Sequence, residues 1–569
     1  QMTGARVFAA LAGGALAILA IGWFWTWRAA PVPMLDAPGG RFSCVSYTPF
    51  RGEQTPFDRS LAIPPQQIEQ DLERLKTETD CVRTYAVDQG LDQVVPIAEK
   101  LGLKVLLGIW IGVEAKDNEV QIQRAIALAR AHPQAIKAIV VGNEVLLRRE
   151  QTADTLSKLL RRVKAETGLP VTYADVWEFW LRHPTLADDV DFVTIHILPY
   201  WEDDPVPAQD GVMHIDTILK LVEAAMPDKT IYIGETGYPS AGKQREQAVP
   251  GLVEQAGFIR AFLNYAHDHG LDYNIIEAFD QPWKRALEGT VGGYWGVFRE
   301  DRTPKFPLTG PVARMGSPWP WLAGTLALGL VLWWPARRST RGAVGAVTAP
   351  LLAGAAALAI ALQVDHAQFA ARYWDEWLLE GSLALMSALV ALLALPRIIA
   401  GDDLGIASAA ESLDWLRRPW RRGLNATLAL GVLQLVAMVG AAVVALGLDF
   451  DERYRDFPIW AFAVPAAAFA LLQLRAMRMP EMRRGAIEMV FASLLTVSAL
   501  FIALNENVFT RPEMRISILD AFRPALVGEL NSNSLIWCLM LLVFAYPWFA
   551  SGRRESFDPR AIDSTSIRN

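Results

Sequence analysis

The chain has 569 residues, 52% hydrophobic and 20% charged, with a mean hydropathy of +0.20. Such averages fit neither one soluble domain nor a plain membrane bundle, and the length exceeds what a single domain usually holds. A formal charge of −7, with no basic stripe in the polar part of the chain, removes nucleic acid as a partner class.

The first apolar run, about 7–27, follows Arg6 and ends in Trp-Phe-Trp-Thr-Trp. It is long for a signal peptide and lacks a convincing cleavage site, so residues 1–35 are expected to be a retained transmembrane anchor. Residues 36–312 then alternate strand-like runs with amphipathic segments. The expected strands are Arg41–Tyr47, Cys81–Ala86, Lys104–Ile111, Ala138–Gly142, Pro170–Asp175, Asp191–His196, Thr230–Gly234 and Tyr273–Phe279. Helices are expected at Gln66–Thr77, up to Lys100, and over 118–131, 151–167, 213–226 and 243–269. Eight repeats in about 275 residues predict an α/β fold, a (β/α)8 TIM barrel. An open doubly wound sheet is the alternative, but it usually carries a Gly-rich turn after its first strand, and none is present.

Three cysteines make no disulfide framework, and no CxxC spacing suggests a metal. Cys44 and Cys81, at the starts of the first two strands, are expected as buried thiols, with a bridge between them as the alternative outside the cytoplasm. Cys538 falls in an apolar run.

Residues 313–569 form an expected multi-span helical domain. Apolar stretches near 319–335, 343–363, 378–396, 424–447, 458–475, 485–504 and 534–550 approach the ~20 residues that cross a bilayer. Basic loops fall on every second side: Arg337-Arg338 to Arg341, Arg417-Arg418 to Arg421-Arg422, 475–484, and the tail at Arg553-Arg554. That positive-inside pattern predicts cytoplasmic termini and an extracytoplasmic barrel. Glu380 and Glu488 are expected at span ends, as snorkelling or interfacial side chains.

A barrel collects its chemistry at the carboxyl ends of its strands. Glu144 ends the fourth and Glu235 the seventh, on opposite sides of the mouth, where they can converge as the two carboxylates of a retaining glycosidase, roughly 5–5.5 Å apart. Glu235 is the expected nucleophile and Glu144 the acid/base. Glu144 should therefore have a raised pKa while Glu235 stays ionised. Asn143 is placed to bind a sugar 2-hydroxyl, and Arg83 to keep Glu235 charged. Tyr47, Tyr85, Trp110, Trp177, Tyr200, Trp201, Tyr238, Glu277, Asp280, Trp283 and Lys284 also fall at strand ends as candidate saccharide contacts. The rings suit sugar faces, although each alone is as readily a packing residue. His196 has the same two readings, core histidine or cleft. No histidine–carboxylate group has metal spacing, so neither metal nor cofactor is expected.

Ile231-Tyr-Ile-Gly-Glu235-Thr-Gly-Tyr238-Pro239-Ser240-Ala-Gly242 resembles the nucleophile signature of glycoside hydrolase family 17, and Val141-Gly-Asn143-Glu144-Val resembles its acid/base motif. Val82-Arg83-Thr-Tyr85, His196-Ile-Leu-Pro199-Tyr200-Trp201, Glu277-Ala-Phe-Asp280-Gln-Pro-Trp283-Lys284 and Tyr294-Trp295-Gly296 follow in the right order, so the resemblance spans 40–300. It implies a retaining enzyme active on β-1,3-glucan. Gln281, where glutamate is expected, and Gly292-Gly293, where an acid is common, depart from the pattern and bear on sugar subsites. Membrane-bound relatives of this type imply a bacterial inner-membrane transglycosylase with a periplasmic barrel, which elongates or β-1,6-branches glucan. Its expected partners are glucan donor and acceptor, the lipid bilayer and a glucan synthase. A membrane-anchored hydrolase is the alternative, then a glucan-binding scaffold or transport component.

Overall fold

A computed structural model describes residues 4–401, 405–450, 457–476, 485–507 and 531–550. The chain divides into two compact units, Ala30–Arg314 and Gln1–Ala29 with Met315–Asn569.

The first unit is a closed parallel barrel of eight strands. They are β1 Val45–Ser46, β2 Cys81–Arg83, β3 Lys104–Ile109, β4 Ile136–Asn143, β5 Val171–Val176, β6 Val193–His196, β7 Ile231–Thr236 and β8 Asp272–Ile275. Pairing of Val45 with both Val82 and Ile275 closes the ring. Runs such as Ile139-Val140-Val141 are buried on both faces because helices cover the outside of the ring and side chains fill its inside. The register slips between Val140 and Asn143, between Ile195 and His196, and between Ile233 and Thr236. These three fall at carboxyl ends, where such bulges re-aim side chains; a fourth, between Val105 and Leu106, lies at the start of β3.

Helices Pro65–Lys76, Val94–Leu101, Ala115–Ala131, Ala153–Thr167 and Gly211–Ala225 stand close to the expected places. The expected helix over 243–269 begins only at Leu252, because Pro250 restricts the residue before it and Gly251 is fully extended. β8 ends at Ile275 and is shorter than expected; a cis Ile276–Glu277 peptide follows it. The eighth helix is a single turn, Arg285–Glu288.

Cys44 and Cys81 are joined in a disulfide, which corrects the expectation of two buried thiols. The parallel register that pairs Val45 with Val82 sets the preceding residues side by side on β1 and β2, with Cα atoms 4.4 Å apart. Both chain ends of this unit also meet. Pro31–Val32 pairs antiparallel with Val312–Ala313. The buried Arg260 guanidinium donates to Asp36 Oδ1 (2.7 Å), to the carbonyl of Met34 (3.1 Å) and to that of Gly310 (2.6 Å).

The second unit is helical. Among the described residues, six of its helices are long and apolar enough to cross a membrane: Gly4–Arg28, Gly342–Ala370, Trp374–Ala400, Ala426–Phe450, Ala486–Asn507 and Ser532–Phe549. Trp319–Ala336 and Ile459–Ala476 are helical where spans were also expected. Tryptophans and prolines at its ends make Trp319–Ala336 less apolar, and the apolar part of the other, Ile459–Leu474, is short. The first helix is packed within this unit: Trp25 Nε1 donates to Thr325 Oγ1 at 3.1 Å, and Arg28 pairs with Asp365 at 2.6 Å. Glu488 is buried instead of snorkelling. It accepts from the Ala409 N–H at 2.7 Å, one of the donors that a helix N-terminus leaves unpaired. The charged loops expected at 451–456, 477–484, 508–530 and 551–569 lie outside the described residues.

Candidate active site

The Gly142-Asn143-Glu144 turn takes the acid/base candidate off the end of β4. Gly142 has φ 87° and Glu144 φ 51°. A Cβ on Gly142 would also stand 2.8 Å from Val145 Cγ2, so only glycine fits this turn without strain. The Glu144 N–H donates to Ala174 O at 2.8 Å, and Tyr173 Oη accepts from the Leu146 N–H at 2.9 Å. Asp175 lies beneath, receiving the Val176 N–H at 2.8 Å; burial pushes its carboxyl up to about 6.

Glu235, on β7, is nearly sealed from solvent. Tyr85 Oη donates to its Oε1 at 2.7 Å and Arg83 Nη1 at 3.2 Å. Burial holds Tyr85 well above the usual phenol range, so it remains a donor. The fully buried Arg83 also donates to Gly234 O (2.7 Å) and Asn143 Oδ1 (2.5 Å). Asn143 is thereby oriented with its amide N–H groups left for another acceptor. Ser46 Oγ lies 2.7 Å from Tyr85 Oη and receives Asn274 Nδ2 at 2.7 Å. Neither Ser46 nor Asn274 carries a sequence signal beyond its place in a strand.

His196 stands between the two glutamates, its Nδ1 3.0 Å from Glu144 Oε1 and its Nε2 3.7 Å from Glu235 Oε1. One oxygen from each glutamate and a nitrogen of His196 lie within 4.8 Å of one another. Three such groups resemble a metal site, but Arg83 Nη1 is 3.2 Å from Glu235 and 3.4 Å from His196, so a fixed cation already serves them.

Glu144 departs from expectation in one respect. Burial raises its pKa, but the hydrogen bond and charge of His196, with help from Arg148 and Arg83, outweigh burial and hold it below the usual carboxylate range. Sequence reasoning missed Arg148, whose signal was its i,i+4 spacing from Glu144. Its guanidinium lies 3.6 Å from Glu144 Oε2 and 4.5 Å over the Trp110 ring.

The remaining candidates divide. Trp110 is 38% exposed, and Trp177, Trp201 and Trp283 are half-buried with ring surface to offer. Trp177 Nε1 donates to Glu202 at 3.3 Å, and Trp201 stacks on the buried Trp295 at 6.3 Å between centroids. Lys284 Nζ donates to both oxygens of the buried Glu277 at 2.9 Å. Burial outweighs the opposing Lys284 charge and holds the Glu277 carboxyl above its usual range.

Four candidates are not brought into the cleft. Tyr47 is sealed and donates to Asp71 at 3.1 Å, within a cluster with Arg51 and Arg302. Tyr200 is sealed and donates to Lys243 O at 2.6 Å, while Tyr238 packs on Phe258 and donates to Val206 O at 3.3 Å. Asp280 accepts from Lys305 Nζ (2.6 Å) and the Gly296 N–H (3.0 Å); burial pushes it up to about 6. These four sit at strand ends, but the local backbone turns them into the shell around the barrel. Gln281 is buried too: its Nε2 donates to the carbonyls of Thr48 (3.1 Å) and Phe279 (3.3 Å). A glutamate could not supply those donors, so this departure is structural and does not define a sugar subsite.

A parallel barrel with two convergent carboxylates, one held by a guanidinium and a phenol, and aromatic rings at its mouth is a glycosidase or transglycosylase centre. Residues 44–296 match the BtgE/BtgC glycoside hydrolase domain. The chain is similar to a glucan 1,3-beta-glucosidase of Candida albicans, 27% identical over 264 residues, covering 42% of this chain and 85% of that protein. A glucan 1,3-beta-glucosidase of Schizosaccharomyces pombe is 27% identical over 258 residues, covering 42% and 79%. Among solved structures, a glycoside hydrolase family 17 beta-1,3-glucanosyltransferase from Rhizomucor miehei has a TM-score of 0.41 and 24% identity, covering 46% of this chain and 95% of that one.

Proposed function

We propose that the chain is a membrane-integral retaining transglycosylase that acts on β-1,3-glucan, elongating it or branching it through β-1,6 links. The observation that carries this reading is the approach of Glu144 and Glu235 oxygens to within 4.8 Å. Such spacing leaves no room for a water between carboxylate and sugar, and suits direct attack by one carboxylate. The glucan itself is inferred from the relatives' activity.

In this reading Glu235 Oε attacks the anomeric carbon while Glu144 delivers a proton to the departing oxygen. A glycosyl ester forms at Glu235 and the glycosidic bond breaks. Glu144, now a carboxylate, takes the proton of the acceptor hydroxyl as that oxygen displaces Glu235. Tyr85 and Arg83 stabilise the charge that returns to Glu235. The lowered pKa of Glu144 suits the second half-reaction, in which it acts as the base. The Asn143 amide donates to the 2-hydroxyl.

Transfer is favoured over hydrolysis by the ring surface of Trp110, Trp177, Trp201 and Trp283, which offers an acceptor sugar a platform and so a high effective concentration. The membrane helices hold the barrel at a cell membrane. The Cys44–Cys81 bridge supports placing it on the extracytoplasmic side, since such bonds persist in oxidising compartments. The basic Arg337–Arg341 and Arg417–Arg422 loops are then cytoplasmic.

Incubation with laminari-oligosaccharides tests the reading. Products longer than the substrate are expected, and Glu235→Gln should abolish them. Shorter products alone would make the chain a hydrolase, and activity surviving in Glu235→Gln would remove the catalytic assignment.

A further inference from the structure

Glu288 ends the single-turn helix Arg285–Glu288, and no step above uses it. Its half-buried carboxylate is acted on by the Lys284 ammonium and by the carboxylates of Glu277, Glu144 and Glu235. Glu288 lies one turn beyond Lys284, which is bonded to Glu277 just past β8, the strand paired with the β7 that carries Glu235, so Glu288 stands on the carboxyl face of the barrel where a sugar must lie. Lys284 gives two 2.9 Å bonds to Glu277, so its charge is largely taken. Arg285 lies on the same turn, and the facing segment Thr290–Gly293 carries no titratable group. Among the described residues no N–H or O–H donates to Glu288, whereas Glu235, Glu144 and Glu277 each have a donor within 3.0 Å.

Gly292 preserves this arrangement. A Cβ there would stand 2.7 Å from Glu288 Cβ, 3.0 Å from its Oε2 and 2.9 Å from the Lys284 carbonyl. The position where an acid is common in similar sequences is closed, and the carboxylate of Glu288 fills the gap. A half-buried carboxylate without donors is costly to keep charged. Burial and the three neighbouring carboxylates outweigh the Lys284 charge, which lowers it, and push it up to about 7. Incoming hydroxyl groups supply the missing donors.

We infer that Glu288 is a specificity-determining residue whose two carboxylate oxygens accept hydrogen bonds from neighbouring hydroxyls of a neutral hexosyl unit bound at the reacting pair. This rests on the glucan reading above. A hexose with adjacent equatorial hydroxyls presents two donors to one carboxylate, while a uronate unit would meet four carboxylates together.

The test is laminaritetraose binding to the full chain carrying Glu235→Gln, measured by calorimetry at pH 8 and pH 6, with and without Glu288→Gln. Hydrogen bonds to a charged group predict roughly a 10- to 100-fold weaker affinity at pH 8 on loss of the charge. The parent should also bind more weakly at pH 6 than at pH 8, because protonation removes the charge and one acceptor, and Glu288→Gln should flatten that dependence. A purely structural role would not move the pH profile. Glu288→Asp, which keeps the charge on a shorter stem, should retain the pH dependence at reduced affinity. Unchanged affinity and pH profile in Glu288→Gln overturns this inference alone. A parent that binds no laminaritetraose overturns the glucan reading, and this inference with it.

Discussion

Tyr85→Phe isolates one interaction of the proposed nucleophile. The phenol donates to Glu235 Oε1 at 2.7 Å, and its removal leaves the ring and its stack under Arg83 in place. In the first half-reaction Glu235 loses negative charge as it bonds to carbon, so the donor helps little. In the second half-reaction the carboxylate departs and its charge returns on the atom Tyr85 faces. A hydrogen bond to a charged group is worth ~1.5–3 kcal/mol, or roughly 10- to 150-fold in rate. Arg83 still reaches the same oxygen at 3.2 Å, so the lower end is expected. The glycosyl-enzyme should therefore form at near the parental rate and decay about tenfold more slowly. Rapid-quench measurement of the burst from an activated aryl β-glucoside, with intact-mass detection of the adduct on Glu235, reads both rates. A slower burst with no accumulated adduct would refute the reasoning, because Tyr85 would then be assisting formation or acting on some other group.

Other changes have signs that follow from the geometry. His196→Gln removes the main group that lowers the pKa of Glu144 and leaves burial, which raises it, so the alkaline limb of the kcat/KM pH profile should move to higher pH. A shift to lower pH would show that His196 is not the partner that sets Glu144. Gly142→Ala forces a side chain onto a backbone with φ 87° and against Val145; a loss of ~1–3 kcal/mol in stability is expected, with a fall in kcat that a thermal melt and steady-state rates can separate. The Cys44→Ala/Cys81→Ala pair opens a loop spanning 37 residues, which chain entropy values at ~4 kcal/mol, and the melting temperature of the barrel should fall by roughly 5–10 °C. An unchanged melt would mean that the bond adds no constraint to the unfolded chain.

Much of the barrel was legible because strand ends announce themselves: apolar runs stop at Asn143-Glu144, His196 and Glu235. Those residues do meet, since any (β/α)8 ring sends its carboxyl ends to one face. Side-chain direction within that face was not legible. Tyr47, Tyr200, Tyr238 and Asp280 occupy the right positions in the chain, yet register slips and turns direct them into packing. Charge balance was hidden as well. The lowered pKa of Glu144 depends on a histidine 52 positions away, and Glu288 carries no motif at all. The disulfide stood only as the alternative to buried thiols for a related reason, since two cysteines on neighbouring strands become neighbours only once the strand register is known.

The antiparallel meeting of Pro31–Val32 with Val312–Ala313, clamped beside Arg260, brings both ends of the barrel unit to one clasp. Both connections leave together, so a pull on either is borne by the other at that clasp before it reaches the strands. Sequence on the far side of the clasp can be exchanged without disturbing the spacing of Glu144 and Glu235. The fungal relatives fit such portability: what they share with this chain is 42% of its length, but 79–85% of their own.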